Sequence, residues 1–492
     1  MDKHSDYPRR DQAKSSDNAV YEAIIIVGLI AITVIMLGLA AAGIFTTNQM
    51  YIIRPILAAI AVFAIFSYVL WFRIRASLFG EIGFIYLALI LAYTILPAVK
   101  FLVMDFDFPL EFDTFNFAVL SPQPEAMGTH FWRHVLFMSG VAAGFLAVRG
   151  KLLPQRFWNE KSENGYGRII AMMIMVIAAC IFILSLLSAP VTTYGEHYIR
   201  FNHLSWTLRR VVYVCLILKT GGYFVLLSLM FSQYRKYRML IFIVVPMICA
   251  YEIVSSFGSR ILAFTNILAF LCFYHFRVKP ISLKKAIIVM IVLASLFSAI
   301  GFIRPSINDL DYAQAQIKEK KIYAAEFESV YCTGFHLYYE RTKGTLPPRD
   351  WRMFFFEIIT VIPFIDHTTN HPLYWYARNY YPEAVVPKTT MGVIADSAIW
   401  GGEFDLLVRS LINGAIFALL TRWFLRRREK WWALTIYVYC YATCVLTLKH
   451  SLFYHIVPLA QIILPTLLLT VILCRLQKTP LFLKSFLTKP AA

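Results

Sequence analysis

The sequence predicts an all-α polytopic membrane protein of about 12 transmembrane helices, and three observations carry that expectation. Of 492 residues, 59% are hydrophobic and only 15% charged, with mean hydropathy +0.62. Soluble domains hold roughly 45–50% apolar and about 25% charged residues. The apolar residues gather in runs close to the roughly 20 residues that a helix needs to cross a bilayer. The 47 Lys and Arg residues, source of the formal net charge of +18, concentrate in short connections at alternate ends of those runs. Such a distribution is a topology signal. It argues against the nucleic-acid partner that the charge alone suggests.

A polar tail, residues 1–21, comes first. The apolar run after it is too long for a secretory signal and reads as a retained span. Spans are expected at 22–45, 52–72, 80–100, 131–149, 168–189, 210–232, 239–256, 261–276 and 286–303. After a long loop, 304–402, three more follow at 405–425, 431–448 and 453–474, and a basic tail, 475–492, ends the chain. The Lys and Arg bias puts both termini in the cytoplasm and the long loop outside. Apart from Cys332 in that loop, the cysteines fall in or beside apolar spans, with no metal-ligand spacing and no disulfide framework. Cys440 and Cys444, one turn apart, read as packing residues. In the outer loop 101–130, SPQP at 121–124 is expected to break any helix.

The long loop is the segment able to build a site outside the bilayer, and long structured loops are more often functional than idle. It mixes Lys318, Lys320, Arg341, Arg352, Arg378 and Lys388 with acids and with rings such as Tyr338, Trp351 and Trp375. That mixture suits an anionic, sugar-bearing ligand; the alternative is a solvated cap closing the bundle. Residues 312–343 read as helical, and the apolar stretch 351–365 is too short to span and fits an interfacial or re-entrant helix.

Ionisable groups at the outer ends of spans are costly, so each is a candidate for function. Ser259 and Arg260, in Gly258-Ser259-Arg260, open the eighth span at its outer end. Small residues allow a tight turn, the helix N-terminus favours an anion, and a guanidinium pairs with phosphate two-pronged. Arg304 stands where the ninth span emerges, Arg209 and Arg210 open the sixth, and Arg409 begins the tenth. Together these arginines suggest a ring around an anion, and Arg378 and Lys388 add charge from the loop. Two acids are candidates to orient or deprotonate a sugar hydroxyl: Glu252 within the seventh span, and Asp396 just before the chain re-enters the membrane. Each has a structural alternative: Glu252 in an internal pair with Lys219 or a buried arginine, and Asp396 in a pair with an arginine that holds the loop against span ten.

The plan of ten to fourteen spans with a dominant late loop, the turn Gly258-Ser259-Arg260, and the return Thr389-Thr390-Met391-Gly392 with Asp396 and Trp400-Gly401-Gly402 resemble the Wzy-type oligosaccharide repeat-unit polymerases of O-antigen and exopolysaccharide synthesis. In those relatives Glu more often stands at the position of Asp396. The resemblance implies a GT-C-like fold in the bacterial inner membrane. It also implies a glycosyltransferase that moves a growing glycan from undecaprenyl pyrophosphate to the terminal sugar of the next lipid-linked repeat. On this reading Asp396, Glu252, Arg260 and Arg304 are catalytic, and Ser259, Arg209, Arg210, Arg378, Lys388 and Arg409 bind substrate. No cofactor is expected, since guanidinium groups supply the counter-charge to pyrophosphate without a metal. The expected partners are lipid-linked oligosaccharides, membrane lipids, a chain-length-determinant protein and a flippase. Two other functions stay open: an O-antigen ligase, which shares the donor and transfers to a lipid A core, and a transporter for the lipid-linked oligosaccharide.

Overall fold

The computed structural model describes residues 45–74, 77–103, 123–150, 166–189, 203–255, 260–282, 325–356, 371–380, 391–449 and 456–478, with isolated positions in 27–43, 200–201 and 284–288. Among them the regular structure is helical. In chain order the helices are α1 (Thr47–Tyr68, prolonged by a wider turn Val69–Arg73), α2 (Ile82–Val103), α3 (Pro124–Arg149), α4 (Gly167–Leu187), α5 (Trp206–Ser232), α6 (Tyr234–Ser255) and α7 (Arg260–Arg277). Then come α8 (Ala325–Lys343), α9 (Pro372–Tyr380) and α10 (Val393–Ile399) within the long loop. Last are α11 (Glu403–Arg427), α12 (Trp431–Lys449) and α13 (Leu464–Lys478). Seven of these are long and apolar enough to cross a membrane: α1 with its extension, α2, α3, α4, α5, α11 and α12. The protein is therefore a polytopic, helical membrane protein. Helices α1–α7 and α11–α13 fall on the expected spans two to eight and ten to twelve. Most of the first and ninth expected spans lies outside the described residues.

Local chemistry sets the helix starts, and it shifts two expected limits. Thr46 and Gln49 form a reciprocal capping box at the start of α1, Gln49 N–H donating to Thr46 Oγ1 at 3.3 Å and Thr46 N–H to Gln49 Oε1 at 3.1 Å. Pro124, the last residue of SPQP, occupies the first turn of α3, where a missing N–H costs nothing, so the helix starts ahead of the limit expected at 131. Helix α5 starts at Trp206, so Arg209 and Arg210 lie inside its first turns and do not open it.

Helices α3 and α11 run parallel and in close contact. Gly140 and Gly144 on α3 face Ser410 and Gly414 on α11, a small-residue repeat at four-residue spacing on each helix. A Cβ on Gly144 would collide with the carbonyl of Leu411, and one on Gly414 with the carbonyl of Val141. Arg133 binds Glu403 at 2.8 Å at one end of this pair, and Arg422 donates to Val148 O at 2.9 Å near the other.

The two ends of the bundle differ in kind. At one, Arg149 grips Glu81 through two hydrogen bonds of 2.8 and 2.7 Å, and both side chains are buried. Around them Tyr437 donates to Gly80 O at 2.7 Å and Tyr441 to Phe79 O at 2.6 Å. His275 Nδ1 accepts from Ile281 N–H at 3.0 Å, which leaves Nε2 to donate to Ser77 Oγ at 3.2 Å. At the other end sit the helices of the long loop. Tyr331 of α8 donates to Met127 O at the start of α3 at 3.2 Å and packs on Phe101 near the end of α2. Gly392 abuts the carbonyl of Leu448 near the end of α12. The described part of the loop is thus a folded, packed cap with Tyr331, Tyr338 and Tyr376 in its interior, and differs from a merely solvated cover.

Candidate functional site

Alternation of the helices carries the sequence-selected ionisable residues to the capped end. Ser228 of α5 donates to Trp431 O at the start of α12, so these helices are antiparallel and the first turns of α5 lie beside the end of α12. The end of α6 and the start of α7 follow to the same side. Arg209, Arg210, Glu252, Arg260, Asp396 and Arg409 therefore share one end of the bundle.

Asp396 and Arg409 meet directly. Arg409 Nη1 donates to Asp396 Oδ2 at 2.5 Å, and Arg409 Nε donates to Asp405 Oδ2 at 2.6 Å one turn earlier on α11. Asp396 is 4% exposed and Arg409 5%, so one buried guanidinium bridges two carboxylates. Burial pushes the Asp396 carboxyl up from its ordinary value, and the nearby Asp405 charge adds to that, while Arg409 opposes it. The Trp400 indole N–H is close enough to favour the charged form without completing a hydrogen bond, so Asp396 Oδ1 has none among the described residues. A buried pair of this kind holds structure through the cost of breaking it. That matches the alternative in which Asp396 pins the loop to span ten.

The short helix α10, which presents Asp396, is itself held by arginines. Arg341 Nη1 donates to Ala398 O and Trp400 O, each at 3.0 Å, and Arg349 donates to Ile399 O. Cations at the carbonyl end of a helix offset its unpaired acceptors. Gly402 has φ of 65°, and an added Cβ would stand 2.9 Å from Arg341 Nε. Both facts explain a glycine at this turn. On the other face of α10, Ser397 donates to Ile394 O at 2.6 Å, so its single proton is committed and Tyr338 is the donor in their 2.9 Å contact. Burial raises the Tyr338 hydroxyl to about 12, so it is a neutral donor at physiological pH. The Arg133 guanidinium lies 3.9 Å above the Tyr338 ring, joining this layer to the Arg133–Glu403 pair.

Glu252 forms the second buried couple, with Lys219 of α5 at 2.6 Å, the internal pair anticipated as its structural alternative. Lys219 also lies 5.2 Å from the Tyr251 ring. Burial lowers the Arg200 guanidinium from its ordinary value, and the nearby Tyr251 and Glu252 oppose that shift. Glu252 lies less than one helical turn before the end of α6 at Ser255, and residues 256–259, between it and Arg260, lie outside the described residues. Arg260 opens α7, but its side chain lies outside the described residues, as do Ser259, Arg304 and Lys388.

The expected guanidinium ring is not what the described members form. Arg409 faces inward onto carboxylates, whereas Arg209, Arg210 and Arg378 are exposed. Arg209 donates to Leu204 O at 3.0 Å, Arg210 stacks 3.0 Å from the Trp206 ring, and Arg378 donates to Tyr374 O at 3.3 Å. The reason is proximity: Asp405 one turn away and Asp396 across the turn capture Arg409, while the others find partners within their own segments. Sequence reading missed Arg133, Glu403 and Asp405 as members of the network. The i, i+4 spacing of Asp405 and Arg409 was the available signal. Among the described residues no cluster of metal-ligating side chains is present. No family model, curated protein or solved structure matches the chain.

Proposed function

We propose that this protein is a glycosyltransferase that polymerises oligosaccharide repeat units carried on undecaprenyl pyrophosphate, as the Wzy-type enzymes it resembles do. In this reading a GT-C-like bundle of about 12 spans lies in the bacterial inner membrane, with both termini cytoplasmic and residues 304–402 periplasmic. The observation that most supports it is the gathering of Arg209, Arg210, Glu252, Arg260, Asp396 and Arg409 at the end of the bundle covered by the folded loop. A pyrophosphate leaving group develops negative charge, and fixed cations lower the barrier by meeting it. Arg260 and Arg304, with Ser259 and Lys388, form the anion site in this proposal, and the exposed Arg209, Arg210 and Arg378 approach the substrate from its rim. Both acids rest in ion pairs, so activating an acceptor hydroxyl requires one of them to release its cation. Glu252 is the better candidate, because Asp396 is bound to an arginine that a second carboxylate also holds.

The test is polymerisation by purified protein supplied with a lipid-linked repeat, read as a ladder on a gel. Glu252→Gln is expected to lose roughly 10²–10⁴-fold in rate; because it also leaves Lys219 buried without its partner, the rate is read on protein that elutes as a monodisperse peak. Asp396→Asn is expected chiefly to lower the melting temperature and to keep part of the activity. Full activity in Glu252→Gln removes it from the mechanism, and a wild-type protein that makes no ladder removes the polymerase reading. A ladder-free protein that instead passes glycan to a lipid A core is a ligase. Transport of the lipid-linked oligosaccharide is the second reading. The buried Lys219–Glu252 couple between α5 and α6 favours it, since ionisable groups within spans often mark transport pathways.

Orientation has its own expected result. An impermeant thiol reagent applied from the periplasmic side should label Lys343→Cys and miss Arg427→Cys. The reverse pattern would place the capped end in the cytoplasm and end the proposal.

A further inference from the structure

Beyond α8 the chain turns at Gly344, where φ is 72°, and passes beside α9, Pro348 O accepting from Trp375 Nε1 at 2.8 Å, before it reaches Asp350. There the Asp350 carboxylate accepts from Arg352 N–H at 2.9 Å and starts a single tight turn, Trp351–Met353. This turn sorts its side chains sharply. Met353 is buried in the core, while Trp351 is 65% exposed and Phe354 and Phe355 are also exposed. The rings touch one another: Trp351 lies 6.2 Å from Phe355, and Phe354 meets Phe355 edge-on at 5.2 Å. Three neighbouring aromatics turned outward on a packed scaffold form the kind of apolar patch that marks an interaction surface.

Its position says which surface. Phe354 sits edge-on to Trp400 at 5.4 Å and lies 5.1 Å from the Arg409 guanidinium in the second turn of α11. The patch thus adjoins the point where α11 begins. From there Phe404, which is 76% exposed, leads a stripe of outward residues through Leu407, Leu411, Ile416 and Leu419 along the helix. On a helix that crosses the membrane this stripe faces lipid, and aromatic rings at the head of such a stripe sit at headgroup level. The charge agrees: Arg352 is exposed beside Trp351. Arginines that flank interfacial aromatics reach lipid phosphates while their stems stay in apolar surroundings.

We propose that residues 349–355 are a membrane-contacting foot of the loop, with Trp351, Phe354 and Phe355 seated in the headgroup–acyl boundary of the bilayer, Arg352 on its phosphates, and Arg349 fixing the foot to the end of α10. The occupant of the patch is phospholipid. The proposal is independent of the catalytic reading and needs only that α11 cross the membrane. Of the interfacial or re-entrant helix expected over 351–365, the described part is the tight turn Trp351–Met353 and the three residues after it; residues 357–365 lie outside the described residues.

A photo-crosslinking amino acid in the full-length protein tests it, in nanodiscs of phosphatidylethanolamine and phosphatidylglycerol. Trp351→p-benzoylphenylalanine and Phe355→p-benzoylphenylalanine should gain the mass of one phospholipid on irradiation. The same substitution at Phe404 serves as the lipid-facing reference, and Lys343, exposed at the end of α8, as the water-facing one. Lipid adducts at 351 and 355 matching those at 404, with none at 343, support the foot. Adducts at 404 alone overturn it, and so does crosslinking of 351 or 355 to a second copy of the chain. Failure at 404 itself overturns it as well, by removing the lipid-facing stripe on which it rests.

Discussion

Replacing Arg409 with leucine is expected to destabilise the protein more than any other single side-chain truncation at the capped end. The change strands Asp396 and Asp405 around an apolar side chain. Removing one partner of a buried ion pair typically costs about 3–5 kcal/mol. The pH dependence of that cost has a definite sign. Burial raises the folded value of Asp396, with Asp405 adding and Arg409 opposing. A carboxyl raised on folding contributes its full stability below its unfolded value and loses it as pH rises through the folded value. Arg409 limits that loss in the wild type, and without it the folded value climbs further. The stability gap between Arg409→Leu and wild type should therefore be widest near neutral pH and narrow on acidification toward about pH 4. Melting temperatures in detergent at several pH values measure this, and Asp396→Asn in the Arg409→Leu background should recover part of the loss at neutral pH. A gap independent of pH, with no recovery, would show that Asp396 does not carry the cost.

Gly414→Val should be the most damaging change along the α3–α11 seam. Its Cβ meets the carbonyl of Val141 and stands 2.7 Å from the amide of Phe145. Both are backbone atoms of a helix and neither can rotate away. Overpacking in a core costs roughly 1–3 kcal/mol and occasionally more, and the upper end applies where backbone opposes backbone. Loss of the monodisperse peak in size-exclusion chromatography is the expected readout. Gly140→Ala provides the milder contrast: its Cβ meets the Ser410 hydroxyl, which can rotate away, and Ser410 Cβ at 2.7 Å, which cannot, but no backbone atom opposes it. Equal tolerance of both substitutions would mean that the two helices are farther apart than described.

The helical membrane class was legible because apolar runs of span length leave few other solutions, and the limits of α2, α4, α7 and α12 fall within a few residues of expectation. The errors came from end chemistry: a proline that starts α3, and a helix α5 that begins at Trp206 ahead of its arginines. For the site, the candidates Asp396, Arg409 and Glu252 were visible as ionisable groups in apolar surroundings, but their partners were not equally so. Lys219 was named for Glu252 because both stand in spans; Asp405 was missed although it lies one helical turn from Arg409. The link between Arg133 and Glu403 joins residues 270 apart in the chain, and no local pattern announces such a contact. The Gly140/Gly144 and Ser410/Gly414 repeats were in plain sight, yet only the fold shows that they face each other.

The α3–α11 seam also limits how this protein can move. Two helices whose backbones touch cannot roll about their axes or slip by a residue without driving carbonyls into Cα atoms. The pair behaves as one rigid strut. The cap is bolted to it through the Arg133 contact on the Tyr338 ring and through the Arg409–Asp396 pair, so strut and cap travel together. Any cycle that admits a large substrate at the capped end must then spend its displacement elsewhere. The Lys219–Glu252 pair, which ties α5 to α6, is not part of that strut, so any displacement between those two helices would have to open it.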